Sequence, residues 1–98
     1  MSFERAIETS LAAALGDDQH LVAELRTAFQ ASAERHLTAL HQAATDEDWR
    51  DAALRLKGLA ASFGATGLMT VAGQAAKARA GDTAALSAIN DGIASLSA

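Results

Sequence analysis

The sequence predicts an all-α protein, an up-and-down four-helix bundle with a short additional N-terminal helix. Proline is absent, and β-branched residues nowhere alternate with polar residues as they do in a strand. Apolar residues instead recur at three- and four-residue steps. Half of the 98 residues are hydrophobic but only 4% are aromatic, and alanine supplies much of the apolar content. Such small side chains allow helices to pack closely in a bundle.

The first two predicted helices are separated by a glycine. The first runs from about Phe3 to Leu15, with Ser2 as its N-cap and Gly16 as its stop. An aspartate at position 17 or 18 caps the second helix, which continues to about Ala44. The stripe that predicts its bundle-facing side consists of Val22, Leu25, Phe29, Ala33, Leu37, Leu40 and Ala44.

The third predicted helix begins at a strong capping signal. Thr45 can accept a hydrogen bond from the first turn, and the three acidic residues that follow suit the positive end of a helix. The helix is expected to end near Gly64. Its predicted buried face consists of Trp49, Ala52, Ala53, Leu56, Ala60 and Phe63.

Glycines delimit the last two predicted helices. Gly64 and Gly67 break or kink the chain before a fourth helix that continues to about Ala80, with Leu68, Val71, Ala72 and Ala75 on its apolar face. Gly81 ends that helix, and Asp82 or Thr83 starts the fifth. The fifth helix places Leu86, Ile89, Ile93 and Leu96 toward the bundle.

Composition limits the classes of function. Residues 1–98 are expected to form a single domain, and the absence of cysteine excludes disulfides and thiolate metal sites. No apolar run is long enough to span a membrane and no signal peptide is evident, so a cytoplasmic protein is expected. The net charge of −4 argues against nucleic acid as the ligand. A protein partner is expected.

The most specific feature is the segment Leu54-Arg55-Leu56-Lys57-Gly58. It resembles the signature of the histidine-phosphotransfer family: histidine, any residue, leucine, lysine and glycine, then a second glycine six residues later and a leucine four residues beyond that. The residues in register here are Leu56, Lys57, Gly58, Gly64 and Leu68. The resemblance covers most of the chain except about the first dozen residues.

The sequence departs from this family at the residue that performs its chemistry. Leu54 stands where the family has the histidine that attacks the phosphoryl group of an aspartyl phosphate on a receiver domain. A leucine has no lone pair with which to attack. The resemblance therefore implies a catalytically silent domain, not an enzyme and without a cofactor, that keeps the docking shape for a response-regulator receiver domain or a sensor kinase.

The predicted partner-binding surface follows from the helical wheel. Leu54 lies about 160° from Leu56, so it is expected to be exposed, next to Gly58 and Ala61. The basic residues predicted on the rim of this apolar strip are Arg50, Arg55 and Lys57. A glycine inside a helix costs about 1 kcal/mol relative to alanine, and either close helix packing or ancestry would explain Gly58.

The sequence leaves two alternative functions open. His20, His36 or His41 could accept a phosphoryl group, although none has a Lys-Gly pair at the family's spacing; His36 is expected to be partly buried. The bundle could instead be a structural module, a monomer or weak homodimer with the apolar strip in a symmetric contact. No metal site is predicted, because His20 and Glu24 lack a third ligand.

Overall fold

The computed structural model describes residues 19–97, which form four α-helices followed by a short 3-10 turn. The helices are α1 (Gln19–Gln42), α2 (Asp46–Ser62), α3 (Thr66–Ala75) and α4 (Thr83–Ala94), and the 3-10 turn is Ser95–Ser97. The all-α bundle is confirmed, and this part of the chain contains no strand. The predicted helix from Phe3 to Leu15, with its Ser2 cap and Gly16 stop, lies outside the described residues.

Each helix packs against the next one in the chain, and α4 also packs against α1. The rings of Phe29 in α1 and Phe63 at the end of α2 stack with their centroids 4.6 Å apart. Trp49 in the first turn of α2 reaches the last residue of α3, Ala75. The first contact joins the first half of α1 to the end of α2, and the second joins the beginning of α2 to the end of α3, so α1, α2 and α3 alternate in direction. No helix in residues 19–97 is both long and apolar enough to cross a membrane.

The core is built largely from the stripes that the sequence predicts. In α1 the buried residues are Val22, Phe29, Ala33 and Leu40, while Leu25 and Leu37 are half-buried. The predicted burial of Ala44 is wrong, because α1 ends at Gln42 and Ala44 lies exposed in the following turn. In α2 all the predicted residues are buried except Phe63, which is half-buried.

The boundaries of α2 follow the predicted signals. The Thr45 hydroxyl oxygen accepts a hydrogen bond from the backbone N–H of Asp48 over 3.1 Å, which confirms the N-cap. At the other end Gly64 has φ +73°, a left-handed conformation that favours glycine. Gly67 does not break the chain, because it lies in the first turn of α3.

α3 ends five residues before the predicted boundary at Ala80, at Ala75. The carbonyl oxygen of Ala75 accepts hydrogen bonds from Trp49 Nε1 at 2.7 Å and from the backbone N–H of Ala78 at 2.9 Å. The Asp46 carboxylate accepts a hydrogen bond from the N–H of Ala80 over 2.9 Å. These bonds hold residues 76–80 in turns against the start of α2 and prevent α3 from continuing.

α4 begins and packs as its sequence predicts. Gly81 has φ +81°, and the Asp82 carboxylate then accepts the N–H of Ala85 over 2.8 Å as the N-cap. Ile89 and Ile93 are buried in α4, Leu96 is buried in the terminal turn, and Leu86 is half-buried.

Candidate partner-binding site

The motif segment lies in the middle of α2, with its side chains divided between core and surface. Leu56 is completely buried. Leu54 points away from that face and is 43% exposed, which confirms the exposure predicted by the helical wheel. Lys57, Gly58 and Ala61 are exposed as well. One face of α2 therefore anchors the helix in the core while the other exposes the motif at the surface.

Gly58 occupies a helical position where no packing contact requires a glycine. Apart from the adjoining residues and backbone of α2, no atom lies within 4 Å of the place where a Cβ would stand. Close helix packing, one of the two explanations left open by the sequence, is therefore excluded. The missing side chain leaves an open surface one helical turn from Leu54.

A groove between α2 and α3 begins beside Leu54. Its lining residues are Arg50, Leu54, Lys57, Gly73, Ala76 and Lys77, and its volume is about 430 Å³. The side chain of Lys57 crosses toward α3, since a Cβ built on Gly73 would lie 3.6 Å from both Lys57 Cδ and Lys57 Cε. The end of the Lys57 side chain, including Nζ at 3.7 Å from that Cβ position, thus lies beside Gly73 at the groove.

The structure brings together only part of the predicted surface. Arg50, Leu54 and Lys57 line the groove, whereas Gly58 and Ala61 lie exposed on α2 outside its lining. Arg55 lines a different cleft, between α1 and α2. The predicted rim is thus divided between the two sides of α2.

The contribution of α3 to the groove was not predicted from the sequence. Gly73 of α3, and Ala76 and Lys77 in the turns that follow it, line it from that side. Their spacing of three and four residues would place them on one face of the helix predicted to continue to Ala80, so the sequence did contain a signal for them. That signal becomes informative only when α3 is known to lie beside the motif.

Comparison with family models, curated proteins and solved structures gave no match to this chain. The resemblance to histidine-phosphotransfer domains therefore depends on the motif residues.

The α1–α2 cleft differs from the groove in its charge. It has a volume of about 320 Å³, and its charged or titratable residues are His36, Asp48, Asp51 and Arg55. His36 is half-buried as predicted. Burial lowers the pKa of His36 from 6.5, and the charges of Arg35 and Arg55 lower it further, so its imidazole is neutral at neutral pH.

The other two histidines lie apart from both sites. His20 is exposed and its Nε2 lies 3.0 Å from Glu24 Oε1, a pairing of neighbouring turns of α1. His41 is exposed near the end of α1. Within residues 19–97, no three His, Cys, Asp or Glu side chains are grouped so as to hold a metal ion.

Proposed function

We propose that this chain is a catalytically silent, pseudo-histidine-phosphotransfer domain that binds a receiver or kinase domain in phosphorelay signalling. Its partner docks over the exposed surface of α2 around Leu54. The observation that carries the proposal is the open environment of Gly58. A helix interior loses about 1 kcal/mol by having glycine instead of alanine, and packing offers no compensation here.

The neighbouring residues suit a docking surface. Leu54 is one of two exposed large hydrophobic side chains in the described residues, and Arg50 and Lys57 stand beside it in the groove. An apolar centre that loses water on binding supplies affinity, whereas cations at its margin assist encounter with an acidic partner surface. Binding of this kind needs no phosphoryl acceptor.

The proposal is tested by titrating the chain with a panel of purified receiver domains and kinase domains from the source genome. Gly58→Arg should obstruct the surface, and Leu54→Asp should place a negative charge against an acidic partner. Each should weaken binding by about 1–2 kcal/mol or more, roughly 5- to 30-fold in Kd.

Two control variants introduce the same side chains elsewhere. Ala84→Arg and Asn90→Asp alter exposed positions of α4, and both should retain wild-type affinity. Circular dichroism should show unchanged helicity for all four variants. Wild-type affinity in both α2 variants would exclude this surface as the docking site, and failure of every receiver and kinase domain to bind would refute the proposed function.

A further inference from the structure

The α2–α3 groove is uniformly positive. Its charged side chains are Arg50, Lys57 and Lys77, and no acidic residue lines it. Among residues 19–97 none of these three forms a salt bridge. The acidic residues near Arg50 along α2, at positions 46–48 and 51, all lie outside the lining. The groove therefore presents three positive charges without a counterion from the described part of the chain.

The other residues of the groove suit binding of an anion without transfer of a phosphoryl group to this chain. Leu54, Gly73 and Ala76 supply the rest of the lining, so the groove contains no histidine, hydroxyl or thiol. A bound anion would meet the cations and apolar surface, but none of the side chains that ordinarily accept phosphoryl groups. The end of the Lys57 side chain lies against Gly73, since a Cβ built on Gly73 would be 3.7 Å from Lys57 Nζ, so this cation stands at the α3 side of the groove.

We propose, on the basis of the function proposed above, that this groove binds the phosphoryl group of a phosphorylated receiver domain and leaves it there. A phosphoryl group carries up to two negative charges and three acceptor oxygens, so it complements three cations better than a single carboxylate does. No bond forms between phosphorus and this chain, and the bond to the receiver's aspartate stays intact. The chain thus distinguishes the phosphorylated receiver from the unphosphorylated one.

The decisive experiment uses each receiver domain that binds the wild-type chain. Calorimetric titrations with and without beryllofluoride, which mimics a phosphoryl group on the aspartate, should show about tenfold or greater preference for the beryllofluoride form. Lys77→Glu and Arg50→Glu should abolish that preference. Arg55→Glu makes the same change of charge on the other side of α2 and should retain it.

The results separate this inference from the proposed function. Equal affinity for the two forms would overturn the inference and leave the proposed function intact, whereas absence of any receiver binding would overturn both. If Arg55→Glu also abolished the preference for the beryllofluoride form, that preference would depend on net charge and not on the groove. This result would also overturn the inference.

A second measurement requires no receiver domain. Inorganic phosphate, added at constant ionic strength, should shift the backbone amide resonances of Arg50, Leu54, Lys57 and Lys77 in nuclear magnetic resonance spectra. The amides of Arg35 and Arg55 should shift much less. Equal shifts at all of these basic residues, or none, would show that the groove is not an anion site and would overturn the inference.

Discussion

In the proposed function, the side chain at position 54 separates docking from chemistry on the same helix. Leu54 is exposed between Arg50 and Lys57, so a partner can reach it. Its methyl groups can be desolvated in a contact but cannot attack phosphorus. In the proposed function this one residue accounts for the loss of transfer without requiring loss of binding.

The wild-type chain should take no label from a receiver domain phosphorylated with radioactive phosphate. Leu54→His should accept a measurable fraction, because Lys57 and Gly58 would then follow an imidazole at the family's spacing. Transfer is measured by electrophoresis at neutral pH, since phosphohistidine is acid-labile. Labelling of the wild type at His20, His36 or His41 would favour the residual phosphotransferase, and a folded, receiver-binding Leu54→His chain without label would show that more than one residue has been lost.

His36 gives the stability of the bundle a defined pH dependence. The unfolded chain takes up a proton at this residue as the pH falls through 6.5, whereas the folded chain does so only at lower pH because of burial and the two arginines. The unfolded state therefore binds more protons in this window, and the free energy of unfolding decreases as the pH falls below 6.5. Well above pH 6.5 His36 is neutral in both states, and the stability associated with its neutral form is fully present.

His36→Gln should reduce the stability lost between about pH 7.5 and about pH 5.5, the range in which histidine titrates. Urea unfolding at the two pH values gives the difference for each protein. His41→Gln removes an exposed histidine from the same helix and serves as the control. Identical losses in the two variants would contradict the role assigned to His36.

At the scale of the helices, substitution by alanine should change the free energy of unfolding in opposite directions at two glycines. Gly58 is helical and has open space around its missing Cβ, so Gly58→Ala should raise the free energy of unfolding by about 0.5–1 kcal/mol. Gly81 has φ +81°, so Gly81→Ala should lower it by about 1–2 kcal/mol. Urea unfolding measures both. Destabilisation by Gly58→Ala would show that the glycine has a structural role.

Helix boundaries could be predicted from the sequence where they depend on neighbouring residues. Thr45 and Asp82 cap the helices that follow them through hydrogen bonds that span three residues. Gly81 has a positive φ that a glycine adopts without a steric penalty. The end of α3 could not be predicted, because it depends on a bond donated by the Trp49 indole and a bond accepted by the Asp46 carboxylate, which span 26 and 34 residues. Such partners become known only with the tertiary fold.

The candidate site likewise has features that local sequence predicts and features that depend on the tertiary fold. The exposure of Leu54 follows from helical periodicity within α2, and it was predicted. The place of Lys77 in the groove, and that of Arg55 in the other cleft, depends on which helix lies on each side of α2. Periodicity identifies the outward face of a helix but does not identify its neighbours.

For the molecule as a whole, we expect a monomer at micromolar concentration. The exposed large hydrophobic side chains of residues 19–97 are Leu21 and Leu54, which offer little of the roughly 1,200–2,000 Å² that a stable interface buries. Sedimentation equilibrium should give the monomer mass. A dimer that dissociates in Leu54→Asp would instead favour the homodimer alternative, with the surface around Leu54 as its contact.

Trp49 gives the junction of α2 and α3 an optical signal of its own. It is the single tryptophan of the chain, it is completely buried, and its indole N–H is bonded to Ala75. Its fluorescence should be emitted at short wavelength in the folded protein and shift to longer wavelength in urea. Because Arg50 and Ala76, the next residues in sequence, line the groove, the emission maximum reports whether the groove is assembled. A partner that docks on the assembled groove should therefore leave the emission maximum unchanged.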